Sequence, residues 1–269
     1  MGYAHTSREY SNNGFSNVPC SVRPTFPPTG VAKRSEPPFN ISKITTEMNN
    51  TKHTNYNSLY QRLLKEPNLP AKLIKIAKES NYPIFTSNKA YPINLNIWGI
   101  RSNNRDTKHF NDVIVVFYNG TFDEGNARVG KWVWHIFEAT TDPSDLILRQ
   151  PINKKGTAIL STGYHPRLWK IGKHKGAYNA LVQANPTYVY RDNNEDAIMD
   201  LDTLEYGTFG INLHRASSTR VQDEIGHYSA GCQVIKDVNE WNKHFIPLVK
   251  KAVGKGYQSY ILINEVDID

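Results

Sequence analysis

Cysteine is nearly absent: Cys20 and Cys232 are the two in a chain of 269 residues. That count excludes a disulfide-stapled scaffold and any metal centre built from paired cysteines. The two can pair with each other, or one can be inert and the other reactive. Long apolar runs are missing too, so no membrane span is expected. The opening Met1-Gly-Tyr-Ala-His5 has no apolar core, which excludes a Sec signal peptide. A cytoplasmic or virion-associated chain is expected, with any action at the cell wall reached by another route. His135, His165, His174 and His227, with Asp142 or Asp223, show no His-x-x-x-His or His-x-x-Glu-His spacing, so no zinc-peptidase motif is present. No metal and no cofactor are expected. Acidic residues are the minority sign, 25 against 32 Lys and Arg, for a net charge of +7. A basic surface suits polyanions such as anionic wall polymers. The cations are scattered, densest at Lys72, Lys75, Lys78 and across 170–175, without interleaved aromatics, so nucleic acid is not an expected partner.

What is present is enough apolar and aromatic surface for a core, 39% hydrophobic with 15 Tyr, a composition that favours strands. Residues 1–55 differ from the rest. They are rich in Asn, Ser, Thr and Pro and show no period, so they read as a disordered arm, or an extended one that docks on a virion or surface assembly partner. Residues 56–89 read as a short helical pair: Leu59, Leu63 and Leu64 make one stripe, Leu69, Leu73, Ile76 and Ala77 the next, with Pro67 and Pro70 between them. Residues 90–269 alternate with period two. Ile93, Leu95 and Ile97 open the pattern, 112–118 forms a denser run, Asn119-Gly120 supplies a turn, and 131–137 returns. Further strands are expected at 157–160, 168–171, 180–183, 187–191, 208–213 and 257–263. Asp237 and Glu240 open a C-terminal helix with Trp241, Phe245, Leu248, Val249 and Ala252 on one stripe and Pro247 as a bend. The fold class is mostly β with α elements (α+β), as a sandwich or barrel-like sheet.

One segment concentrates chemistry. Phe209-Gly-Ile-Asn-Leu-His214 places His214 on the polar face of a strand beside Asn212, and Ser229-Ala-Gly-Cys232 follows. A thiol is a nucleophile only as thiolate, and an imidazole is a common means of making one. Gly231 permits a tight turn whose amides can face a carbonyl oxygen, and Ser229 can hold that turn by hydrogen bonding. Cys232 is therefore the candidate nucleophile, His214 its base, and Ser229 and Gly231 the supporting residues. Arg215, His227, Tyr228, Gln233 and Asn212 are the candidate substrate contacts. Tyr164, Trp169, Lys173, His174 and Tyr178 form a polar-aromatic group that can line a glycan cleft or sit in loops.

His214, Ile225-Gly226 and Ser229-Ala-Gly-Cys232 together resemble the signature of the L,D-transpeptidase (YkuD-like) catalytic domain, and the wording resembles a phage-encoded branch. The resemblance spans 90–269, and its specific part is 209–235. It implies a β-sandwich of the L,D-transpeptidase type, peptidoglycan as partner, and acyl transfer on stem peptides through a Cys232 thioester. His214 would be the base, and the amides of Gly231 and Cys232 the oxyanion donors. Gln233 and Val234 stand where the family has an apolar residue and then arginine, and Arg215 where it has glycine, so Arg215 is the candidate for substrate-carboxylate recognition. Hydrolysis and transpeptidation remain alternatives, since they share the thioester. The rival is a non-catalytic virion or surface assembly component with a vestigial site.

Overall fold

The computed structural model describes residues 58–88, 92–120, 131–253 and 256–269. The chain divides into two units, Met1–Lys52 and His53–Asp269, and the described residues all belong to the second. The arm expected over 1–55, and Cys20 with it, lies outside the described residues. The remainder is mostly strands with a few helices. In chain order the elements are α1 (Ser58–Leu64), α2 (Leu69–Glu79), β1 (Asn96–Arg101), β2 (Asp112–Asn119), β3 (Trp132–Thr140), α3 (Asp145–Arg149), β4 (Thr157–Leu160), β5 (Gly163–His174), β6 (Tyr178–Gln183), β7 (Thr187–Asp192), β8 (Leu204–Gly207), β9 (Leu213–Arg215), β10 (Gln233–Ile235), α4 (Val238–Glu240), α5 (Ile246–Val253) and β11 (Tyr257–Asn264).

Eight strands close into a barrel in the order β1-β11-β5-β6-β9-β10-β3-β2, and β4-β7-β8 form a separate three-stranded sheet. The dense run of β2 has a physical reason. Ile114 and Val116 face the main core with Phe137, Trp169 and Leu213. Val113, Val115 and Phe117 face outward into a second core, where Leu59 and Leu63 of α1 and Leu69 and Leu73 of α2 cover them. With both faces buried, the strand reads as a continuous apolar run instead of an alternation. Each large side chain so buried contributes about 1.5–3 kcal/mol.

Asp237 caps α4, its side chain accepting from Asn239 N at 2.7 Å. The helix does not simply bend at Pro247. It widens to a π segment over Trp241–Phe245, where Ile246 N–H bonds back to Trp241 O. Proline offers no N–H and crowds the carbonyl four residues earlier, so a wider turn just ahead relieves the clash. Trp241 and Phe245 complete the main core, Phe245 meeting Phe137 edge-on at 5.5 Å. No helix among the described residues is long and apolar enough to cross a membrane.

Candidate active site

Register brings the thiol and the imidazole onto one face. In the parallel β9–β10 ladder Gln233 pairs with Leu213 and Val234 with His214. Leu181 of β6 lies opposite Leu213, and Tyr178 opposite His174 across the β5–β6 hairpin. Strand residues alternate faces, so His174, Tyr178, Asn212, His214, Cys232 and Val234 share one face, while Leu181, Leu213 and Gln233 face the main core. Cys232 and His214 are diagonal neighbours on adjacent strands, with Cα atoms about 8 Å apart by ordinary sheet spacing.

The turn into Cys232 is held by Ser229, which is fully buried. Its Oγ lies 2.8 Å from both the Asp142 and Cys232 carbonyls and accepts from Gly231 N at 3.2 Å. Gly231 has φ of +111°, and a Cβ there would overlap the Ala158 carbonyl oxygen of β4. These contacts assign Ser229 and Gly231 to shaping the turn. The Gly231 amide is already engaged by Ser229, so it is not the free oxyanion donor that the sequence suggests. Beneath the turn, Asp142 lies 2.7 Å from the guanidinium of the buried Arg101. Asp112, pushed up to about 7 by burial and by Asp142, accepts from Ser102 N and from Thr141 N and Oγ1.

His214 is buried. Its Nδ1 is 2.8 Å from Arg215 O and 3.3 Å from Tyr178 Oη. A carbonyl only accepts, so these partners place the proton on Nδ1 and leave Nε2 with a bare lone pair. Nε2 is buried without a hydrogen-bond partner. The His174 ring stacks on His214 with centroids 4.0 Å apart. Asn212 holds His174 in turn: Nδ2 donates to His174 Nδ1 at 3.1 Å, and Oδ1 accepts from Gln183 N at 2.8 Å. Burial first, then His174, Lys175 and Arg215, lower His214 to about 3, against the opposing pull of the Arg215 carbonyl. Burial pushes the Cys232 thiol up, and the Asn212 N–H and Lys175 offset this in part. The resting pair is thus a neutral thiol beside a neutral imidazole. A base for Cys232 would be expected to hydrogen-bond its thiol, and no such bond is formed. Sγ instead faces Gly210 O at 3.5 Å.

The other sequence-derived candidates separate. Arg215 lies over the Tyr178 ring at 4.1 Å and donates to Ser217 O. His227 is exposed, and Tyr228 packs with Phe110, Ile225 and Val234. Gln233 is a correction: it is fully buried, donates to Thr141 O at 3.1 Å and accepts from Tyr260 Oη at 2.7 Å, so it cannot reach a substrate. Asn212 is occupied in holding His174. Of the polar-aromatic group, His174 and Tyr178 belong to the site. Trp169 is in the core, donating to Ile211 O at 2.8 Å, and Tyr164 bonds Ser259 at 3.3 Å. The role of His174 against His214 was missed because the expected strand ended at 171. The tight Lys175-Gly176 turn, both with positive φ, would have extended it to a hairpin pairing His174 with Tyr178.

No family model, no curated protein and no solved structure matches this chain.

Proposed function

We propose that this protein is a cysteine-dependent acyl-transfer enzyme acting on peptidoglycan stem peptides, a divergent relative of the L,D-transpeptidases. On this reading the barrel with its second sheet is the counterpart of that family's β-sandwich. The observation that carries the proposal is the bare, buried Nε2 of His214, on the same sheet face as the only thiol among the described residues. Burying an unpaired imidazole nitrogen costs about 1–3 kcal/mol, which a proton-accepting role would explain.

The chemistry follows from the charge states. The thiol is not pre-ionised, so His214 Nε2 takes its proton as Sγ attacks the peptide carbonyl. The Cys232 N–H faces the developing oxyanion. His214 then returns the proton to the leaving amine, and a Cys232 thioester remains. Water or an amine resolves it, giving hydrolysis or exchange. Arg215 and the exposed Lys175 flank the pair and suit the carboxylates of a stem peptide.

The second reading, a virion or surface component with a vestigial site, is favoured by the elevated thiol and the missing Cys232–His214 hydrogen bond. Incubation with muropeptides separates the two. Cleavage or exchange that disappears in Cys232→Ser, with the thermal midpoint unchanged, is the expected result, since a hydroxyl is a far weaker acid than a thiol. Equal turnover in the variant rules out the thioester, and no turnover in the wild type leaves the assembly reading.

A further inference from the structure

A second feature lies away from Cys232 and rests on no assumption about its chemistry. The connection from β7 to β8 is the loop Asp192-Asn-Asn-Glu-Asp-Ala-Ile-Met-Asp-Leu-Asp-Thr203. Its base is closed by Arg191 N donating to Thr203 O at 2.9 Å. In a chain of net charge +7 this stretch holds Asp192, Glu195, Asp196, Asp200 and Asp202 and no Lys or Arg. Among the described residues none of these five makes a salt bridge.

An amide joins two of these carboxylates. Asn194 Nδ2 is 3.0 Å from Asp196 Oδ2 and 2.9 Å from Asp200 Oδ2. Asp192 Oδ2 accepts from Asp200 N at 2.9 Å. The other oxygen is the telling one. Asp192 is 1% exposed, and its Oδ1 is buried with no hydrogen-bond partner. An ionised carboxylate oxygen without a donor is a costly thing to bury. Something positive belongs beside it.

The spacing says what. Counting Asp192 as the first residue, side-chain oxygens fall at positions one, three, five and nine, and the Ile198 carbonyl at seven. This is the ligand pattern of a twelve-residue Ca2+ loop. That pattern has glycine at position six, where the backbone turns sharply. Here Ala197 stands there and takes φ of +69°, and Glu195 at position four takes +63°. The pattern's bidentate Glu at position twelve is Thr203. All the donors are hard oxygens, and a mixed set of carboxylates, amide and carbonyl suits the larger, more adaptable Ca2+ over Mg2+. Among the described residues no three carboxylate, imidazole or thiol side chains stand together as a ready-formed metal centre. The Asn194 amide lies between two carboxylates that a cation would draw inward.

We propose that the β7–β8 loop is a Ca2+ site, ligated by Asp192 Oδ1, Asn194 Oδ1, Asp196, Asp200 and the Ile198 carbonyl, with water filling the remaining positions. Lacking the bidentate glutamate, it belongs to the weak class, with Kd of about 10⁻⁴–10⁻³ M. The test uses the full chain stripped with EDTA. Adding about 5 mM CaCl2 raises the thermal midpoint by roughly 5 °C, well above the effect of NaCl at matched ionic strength or of equal MgCl2. The Asp196→Asn/Asp200→Asn variant keeps its midpoint in EDTA and loses the rise, whereas Asp202→Asn keeps it. Calorimetric titration of the wild type with CaCl2 gives one site per chain, independently of how any variant folds. No calorimetric site, or a rise that persists in the double variant, overturns the proposal. Muropeptide turnover by a chain that binds no Ca2+ would sink this site alone and leave the thiol chemistry standing.

Discussion

A thiol held above its ordinary pKa beside an imidazole held near 3 defines the electrostatics of this site. The Asn212 N–H and Lys175 favour a thiolate too little to outweigh burial, because Cys232 and His214 both sit where charge is poorly solvated. The expected outcome is slow alkylation of Cys232 by iodoacetamide near neutral pH, with the rate still climbing at alkaline pH. A plateau at pH 6–7 would instead reveal a preformed thiolate–imidazolium pair. His214 itself stays neutral down to about 3, so under the proposed mechanism turnover should not fall from loss of the base between about pH 5 and 7. That Cys232 and His214 belong to one site was legible in the sequence because each sits in a short motif, and the β9–β10 register puts both on one face. Gln233 was misread for a simple reason. It follows Cys232 directly, and alternation along β10 sends the next side chain to the opposite face, into the Tyr260 contact. No residue-by-residue motif carries that parity unless the strand itself is recognised.

Recognising the strands is where element length matters. β2 was legible as a dense apolar run, and β3, β7 and β11 because they are long enough to show a pattern, as was the cap at Asp237. β9 and β10 are three residues each, too short for any periodic signal, and 208–213 was expected as strand where only Leu213 is. Yet the short pair places both reactive groups. The element that fixes their approach is the turn from Ser229 to Cys232, and its weak point is Gly231. An alanine there must adopt φ of +111° and also displace the Ala158 carbonyl of β4. Gly231→Ala is expected to cost about 3 kcal/mol or more, read as a lower urea midpoint, because neither the conformation nor the neighbouring backbone can yield cheaply. Stability equal to wild type would mean that β4 does not press on the turn.

Across the whole molecule, the barrel and the three-stranded sheet meet at His165. It is buried in β5, with Nδ1 2.6 Å from Thr187 Oγ1 of β7 and Nε2 2.9 Å from Ser161 O. Burial, with Arg101 adding, lowers its pKa to about 4, against the pull of the Ser161 carbonyl. The unfolded chain takes up this proton near 6.5, so the stabilisation is fully present above that pH and is lost as pH falls toward 4. Asp112 titrates in the opposite sense, so the difference between wild type and His165→Gln isolates the histidine. That difference should shrink by about 3 kcal/mol between pH 7 and pH 4 in urea unfolding. A pH-independent difference would mean that His165 takes up its proton as readily in the fold as in the unfolded chain.

The barrel is not equally strong around its circumference. β2 and β3 are paired over eight residues, and β5 and β6 over six. β6 and β9 share the single pair Leu181–Leu213, and β10 joins β3 through two. Cys232 and His214 are therefore mounted on the seam most prone to transient opening, where few hydrogen bonds must break. A breathing motion at the β6–β9 joint would part His214 from His174 and Tyr178 while the remaining strands stay zipped. Heat would then dismantle the setting of this imidazole before it melts the protein.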